Sequence, residues 1–291
     1  MARLTPSNKD LAVEQRTSTD PASWPARRGD TWAELQPLLD RLFLPFEEWI
    51  AERVAAHGAR DILDIGCGAG ATTLAIARRL GPGARCTGID ISPALTAIAR
   101  CRATAARLDH VEFVTGDAQR HNFGRRHHDA VVSRFGIMFF DDPVVAFARI
   151  AGAVRPGGTL ECAVWRSAAD NPFMATAERV IAPIAGGDTP SDPHAPGQFA
   201  FADARRVAAI LEASGWTEID IQPFALPCTM TVAELSLYIR RMGRAGMVLP
   251  TLDAPARRDA EARLDAAFAP FVTDGMARFD AACWSVRART P

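Results

Sequence analysis

The stretch that most constrains this chain is Asp61-Ile62-Leu63-Asp64-Ile65-Gly66-Cys67-Gly68-Ala69-Gly70. It reads as a short apolar strand entering a turn with three glycines. A helix over Ala71–Leu80 follows at once. Glycines let a backbone approach a ligand and adopt turns that a Cβ forbids. A helix start adds unpaired N–H groups and the positive end of a dipole. A strand, a glycine turn and a helix N-terminus in this order form a nucleotide-type binding device. The questions that follow are which ligand it takes and what the chain does with it.

Around this turn the chain alternates strand and helix from residue 59 to 165. Strands are expected at Asp61–Ile65, Arg85–Asp90, Val111–Thr115, Asp129–Ser133 and Leu160–Trp165. Gly81-Pro82-Gly83 stops the first helix. Ser92-Pro93 opens the second with an N-cap and a proline at the first helical position. A helix over Pro143–Val154 ends at Arg155-Pro156-Gly157-Gly158. Asp129-Ala130-Val131-Val132-Ser133 lacks clean alternation, as a strand covered on both faces does. The class is therefore α/β, with an open, mostly parallel sheet and its ligand at the carboxyl ends of the strands.

The flanks are less regular. Residues 1–28 are polar and read as loosely ordered. Trp32, Leu35, Leu39, Leu42, Phe46, Ile50 and Val54 recur at helical spacing, with a break expected near Pro45. These helices either pack on the sheet or cover the ligand, and residues 1–58 are taken as an N-terminal helical lid. The remainder, 59–291, reads as one domain with helical cap insertions at 166–202 and 223–275. In the first insertion a helix is expected over Pro172–Ile184, with a Gly/Pro/Asp-rich loop over Gly186–Gly197. A helix over Ala202–Gly215 and a strand over Trp216–Ile221 follow. In the second, two helices split around Pro250 and Pro255. Met276–Arg289 reads as a last strand, antiparallel to Trp216–Ile221.

Composition narrows the partners. The 33 basic residues and 34 acidic ones leave a net charge of −1 over 291 residues. This balance gives no electrostatic reason to expect nucleic acid. No run reaches the ~18 apolar residues of a membrane helix, and Met1–Asp20 lacks the apolar segment of a secretory signal. A cytoplasmic location is the expectation. The six cysteines show no metal-ligand or C-x-x-C spacing and read as buried reduced thiols, with no metal expected. Cys67 reads as a small filler of the turn rather than a nucleophile.

The turn alone does not separate cofactors. With Ala71 it even satisfies the dinucleotide pattern G-x-G-x-x-A, so a nicotinamide oxidoreductase stays open. Three acids shift the balance. Asp90 ends the second strand, twenty residues after Gly70, where a carboxylate accepts ribose hydroxyls. Asp64 precedes the first glycine and suits an ammonium group. Gly116-Asp117-Ala118 ends the third strand, where an acid accepts from an adenine amino group. Acids on three successive strand ends favour a cationic adenosyl ligand over an anionic dinucleotide.

Together with Gly88-Ile89-Asp90-Ile91-Ser92 and Val154-Arg155-Pro156-Gly157-Gly158, these motifs make the segment from about Ala59 to Trp165 resemble the class I S-adenosylmethionine-dependent methyltransferases. It covers roughly a third of the chain. The resemblance implies a three-layer Rossmann-like sheet with an antiparallel last strand, and S-adenosyl-L-methionine as cosubstrate. It implies binding roles for Asp64, Gly66, Cys67, Gly68, Gly70, Asp90, Ile91, Asp117, Ala118 and Ser133. The stretch Ser133-Arg134-Phe135-Gly136-Ile137-Met138-Phe139-Phe140 is similar to that of small-molecule enzymes of the quinone C-methyltransferase group. Ser133-Arg134-Phe135-Gly136 stands where amino-methylating members carry Asn/Asp-Pro-Pro-aromatic, which argues against nucleobase or amide acceptors. The expected partner is a small molecule methylated on carbon or oxygen. Enzymes that use the same cosubstrate without methyl transfer share the whole motif set and form the alternative.

For the acceptor the candidates are Arg134, Trp165, Phe173 and Tyr238. Possible bases are His121, His127, His128, His194 and Tyr238, and a base is required only for an unactivated acceptor. Arg240, Arg241 and Arg244 share one predicted helix and read either as a solvated face or as an anion contact.

Overall fold

The computed structural model describes residues 24–124, 127–186 and 194–291, with side chains from residue 29 onward. Residues 1–23 and the centre of the Gly186–Gly197 loop lie outside the described residues. Elements run in the order α1 (Trp24–Glu34), α2 (Gln36–Ala56), β1 (Asp61–Ile65), α3 (Ala71–Leu80), β2 (Arg85–Asp90), α4 (Pro93–Ala105), β3 (Val111–Thr115), β4 (His128–Arg134), α5 (Pro143–Ala153) and β5 (Val154–Trp165). After them come α6 (Pro172–Ile181), α7 (Ala204–Ala213), β6 (Thr217–Thr231), α8 (Val232–Arg241), α9 (Gly243–Val248), α10 (Ala254–Phe268), β7 (Val272–Thr273) and β8 (Met276–Arg289).

The sheet order is β3-β2-β1-β4-β5-β8-β6, with β7 against β8. β1 to β5 are parallel, and β8 runs antiparallel between β5 and β6. Both faces are covered, and β4 shows it residue by residue. Ala130 and Val132 join a buried cluster with Ile50, Val54, Ile62 and Ile76, on the side of α2 and α3. Val131 joins the larger cluster of Phe147, Leu160, Val207 and Trp216, on the side of α5 and α7. This is the Rossmann-like three-layer arrangement that the resemblance implies, on the mostly parallel sheet expected from the alternation.

Three boundaries differ from the sequence reading. The N-terminal helices divide at Leu35, and Pro45 sits inside an unbroken α2. A proline in a helix interior costs about 3 kcal/mol, and the burial of Leu42, Phe43, Phe46 and Ile50 around it offsets that. β5 starts at Val154 rather than Leu160, because Arg155-Pro156-Gly157-Gly158 forms a bulge between the pairs His128–Val154 and Ala130–Thr159. β6 runs to Thr231, so the second insertion starts after the sheet and not at residue 223. Pro223 and Pro227 hid this extension. As the terminal strand of the sheet, β6 tolerates them, since their missing N–H groups face no further strand. The insertion then holds α8, α9 and α10, three helices where two were expected.

Candidate cofactor and acceptor site

The carboxyl ends of β1, β2, β3, β4 and β5 bring Ile65, Asp90, Thr115, Arg134 and Trp165 to one edge. The glycine turn sits at its centre. Gly66 and Cys67 both donate backbone N–H groups to the Ile89 carbonyl, at 2.9 and 3.0 Å, so the turn is pinned to the end of β2. Gly66 also lies hard against Gly136 beyond β4: a Cβ on Gly66 would stand 2.7 Å from the Gly136 Cα.

Asp90 faces this turn. One carboxylate oxygen accepts the Gly68 N–H at 2.9 Å and the other accepts the Ser92 N–H at 2.8 Å. Burial pushes its carboxyl up, and the two N–H donors oppose that shift. Each oxygen keeps a lone pair for a ligand hydroxyl. Ile91, beside it, is exposed on the edge. Asp117 accepts the Gln119 N–H at 2.9 Å and lies 3.5 Å from Arg120, and Ala118 packs partly buried next to it. Gly68, Gly70, Asp90, Ile91, Asp117 and Ala118 thus gather on one rim.

Other candidates turn elsewhere. Asp64 does not reach the open edge. It shares a strand face with Ile62, lies buried, and accepts the Thr73 hydroxyl of α3 at 2.6 Å. Burial raises its carboxyl to about 7. The Cys67 side chain points inward against Gly88, and burial holds its thiol well above the ordinary range, which fits a filler. Ser133 donates to the Ile65 carbonyl at 2.7 Å and accepts the Gly136 N–H at 3.1 Å, so its hydroxyl is spent on joining β4 to the turn.

The acceptor candidates divide into two sets. Trp165 stacks on Phe135 at 4.6 Å, with Phe43 edge-on to both rings and Phe46 edge-on to Phe135 and tilted to Trp165. Arg134 joins this set, with its guanidinium 5.5 Å from the Phe43 ring. Phe173 is in a separate group under the cap, stacked on Phe279 at 3.9 Å and flanked by Phe268, Phe271 and Tyr238. The Tyr238 hydroxyl lies 3.4 Å from the Met174 sulfur, and burial pushes its phenol up, away from the range of a base. Phe173 and Tyr238 therefore act first as the cap's own core.

The histidines are scattered. His121 approaches the rim, packed on Phe123 near Gly116. His127 and His128 sit at the start of β4, at the opposite edge of the sheet. The cap arginines are each held in an ion pair. Arg240 pairs with Asp265 of α10 at 2.7 Å, Arg244 with Glu178 of α6 at 2.7 Å, and Arg241 with Glu34 of α1. Arg41 of α2 pairs with Glu234 of α8. No cluster of three metal-ligating side chains occurs among the described residues. A surface hollow of about 380 Å³ lined by Glu48, Glu52, Arg78 and Arg79 shares no residue with the rim.

Two residues of α2 escaped the sequence reading. Glu47 is buried and faces Arg134, and its carboxyl is raised to about 7, chiefly by burial. Asp40 takes Arg102 of α4 at 2.5 Å, and Arg102 in turn donates to the Ala69 carbonyl of the glycine turn at 2.6 Å. The available signal was a carboxylate four residues after Phe43 on a buried stripe; its partner lies 87 residues away.

Fold and rim define a Rossmann-like α/β protein with an adenosyl-type ligand edge. Residues 62–158 match the family described as methyltransferase domain. Aklanonic acid methyltransferase DauC of Streptomyces sp. (strain C5) is 35% identical over 99 residues, which span 34% of this chain and 45% of that protein. Demethylmenaquinone methyltransferase of Staphylococcus aureus is 32% identical over 100 residues, spanning 34% and 41%. The chain thus spans less than half the length of these curated relatives. Among solved structures, the [4+2]-cyclase SpnF shares the fold with a TM-score of 0.56 at 20% identity, over 92% of this chain and 97% of that one. Over residues 62–158, a third of the chain, the protein is thus similar to methyltransferase domains.

Proposed function

We propose that the chain transfers the methyl group of S-adenosyl-L-methionine to carbon or oxygen of a small molecule. The observation that carries this reading is Asp90, held by the Gly68 and Ser92 N–H groups with lone pairs left for the two ribose hydroxyls. On this reading Asp117 and Ala118 flank the adenine, Ile91 lies against its apolar face, and the glycine turn passes under the aminoacyl part. The sulfonium is already activated, so the protein's task is to align the acceptor and exclude water. The insertion at 166–202 and helices α8 to α10 form the cap that selects the acceptor, with the Phe135–Trp165 stack as the wall nearest β4. The N-terminal helices act as the lid: a Cβ on Gly29 of α1 would overlap the Ser92 hydroxyl next to Asp90. No helix among the described residues is long and apolar enough to cross a membrane, and we assign the chain to the cytoplasm with no nucleic-acid partner.

Calorimetry with S-adenosylhomocysteine tests the assignment. The wild type binds in the micromolar range, and Asp90→Ala weakens binding by about 10-fold or more, the ~1.4 kcal/mol of a charge-assisted hydrogen-bonding group. Absence of binding to the wild type, with NADH bound instead, would turn the reading to an oxidoreductase. A second reading, use of the same cosubstrate without methyl transfer, draws support from the fold shared with a protein described as a cyclase. Methyl-labelled cosubstrate separates the two by the presence or absence of label in the product.

A further inference from the structure

Arg102 of α4 holds two other parts of the chain at once. Its Nη1 donates to the Ala69 carbonyl in the glycine turn at 2.6 Å, and its Nη2 donates to Asp40 of α2 at 2.5 Å. The Gln36 side-chain amide, one turn back on α2, donates to the same Asp40 oxygen at 2.5 Å. One planar guanidinium thus spans the turn and the N-terminal helix with two charge-assisted bonds.

The three parts differ in how firmly they are set. α4 is fixed to the sheet. Arg100 donates to the Phe113 carbonyl of β3 at 3.0 and 2.9 Å, and the Thr96 and Thr115 hydroxyls share a hydrogen bond at 2.6 Å. Ala99, one turn before Arg102, abuts the turn so closely that a Cβ on Gly70 would stand 3.0 Å from its own Cβ. The Ala69 carbonyl is less constrained by the backbone, because Gly68 and Gly70 flank it at φ 55° and 81° and glycine leaves both torsions soft. A ligand lying on the turn fixes that carbonyl, and a fixed carbonyl holds the Arg102 fork toward Asp40. α2 in turn carries Phe43 and Phe46, which pack edge-on against Phe135 at the acceptor end.

We propose that Arg102 is a positioning residue that couples the cosubstrate turn to α2, so that ligand on the turn and closure of α2 stabilise each other. The aromatic wall toward the acceptor is then completed only once the cosubstrate is in place. The coupling is reciprocal, as any linkage between two sites is. The inference rests on the adenosyl-ligand and lid reading given above.

Hydrogen exchange of the full chain, with and without S-adenosylhomocysteine, tests it. In the wild type the ligand slows exchange of the turn amides and of the α2 amides. In Arg102→Met and in Asp40→Ala it still slows the turn but no longer slows α2. Asp40→Ala leaves the bond from Arg102 to Ala69 in place, so it reads the coupling even if Arg102→Met folds poorly. By stopped-flow displacement each substitution raises the ligand's dissociation rate about 5-fold or more, the lower end for coupled sites, and the double variant goes no further. Ligand protection of α2 that persists in both variants would overturn the inference, as would effects that multiply in the double variant. A wild type that binds S-adenosylhomocysteine with α2 exchange unchanged overturns the coupling alone. A wild type that does not bind it removes the adenosyl reading itself, and the inference with it.

Discussion

Gly66 and Gly136 pack backbone against backbone. A Cβ on the first would stand 2.7 Å from the Cα of the second, and a Cβ on the second 2.6 Å from the Ile65 carbonyl oxygen. Real Cβ atoms do not approach so closely, so the turn after β1 and the turn after β4 fit only while both residues lack a side chain. The contact joins the cosubstrate turn to the strand end where the acceptor is expected.

Substitution at either position tests that join. Gly66→Ala forces a side chain into left-handed backbone at φ 68° as well as into Gly136. It is expected to cost about 1–3 kcal/mol, read as a lower denaturant midpoint. Gly136→Ala carries no φ penalty and is expected to destabilise by overpacking alone. Affinity for S-adenosylhomocysteine falls in both, and an unchanged affinity in Gly136→Ala would show that the two turns are not coupled.

Acid stability provides a second check. His128 is buried at the start of β4, its Nδ1 lacks a partner, and burial lowers its pKa to about 4. The unfolded chain takes up this proton near the ordinary value of 6.5, and the folded chain does so only near 4. The stability that neutral His128 permits is therefore present above 6.5 and lost as pH falls from 6.5 toward 4, by on the order of 3 kcal/mol at most. Glu47 and Asp64 act in the opposite sense, since raised carboxyls favour the folded state at low pH and lose that favour as pH rises toward about 7. Subtracting the urea-derived stability of His128→Gln from that of the wild type at each pH isolates the histidine. A difference that stays flat between pH 7 and 4 would contradict the burial argument.

The proposed lid yields a kinetic expectation. Two exposed ion pairs, Arg41–Glu234 and Glu34–Arg241, tie α1 and α2 to α8. Pairs this exposed contribute little to stability, ~1 kcal/mol or less each. Glu34→Gln with Glu234→Gln is expected to leave the unfolding midpoint nearly unchanged and to raise the dissociation rate of S-adenosylhomocysteine severalfold, by stopped-flow displacement. Added salt mimics this in the wild type, because exposed pairs are screened. Equal off-rates in wild type and double variant would remove the lid.

Much of the sheet was readable in advance because its signals are local. β1, β2, β3 and α3 follow from apolar runs bounded by Gly81-Pro82-Gly83, Ser92-Pro93 and the glycine turn. The extension of β6 was not readable, since Pro223 and Pro227 break a strand pattern everywhere except on a terminal strand. Pro45 misled in the same way, because its tolerance depends on what α2 buries. The destinations of Asp64, Ser133 and Arg134 were equally hidden. All three sit at strand ends near the ligand edge, but alternation places Asp64 and Arg134 toward α2 and α3, and Ser133 toward Ile65.

The stretch Asp61–Gly70 thus settled by itself that a strand, a tight turn and a helix start meet at a ligand edge, since covalent spacing and glycine backbone freedom suffice for that. With Asp90 and Asp117 it also indicated the ligand's charge. Only the tertiary structure decided which acids face the rim and which are sealed inside. A carboxylate's role depends on which donors lie within about 3 Å of it, and for Asp64 that donor is Thr73, for Asp90 the Gly68 N–H, and for Glu47 an arginine 87 residues along the chain.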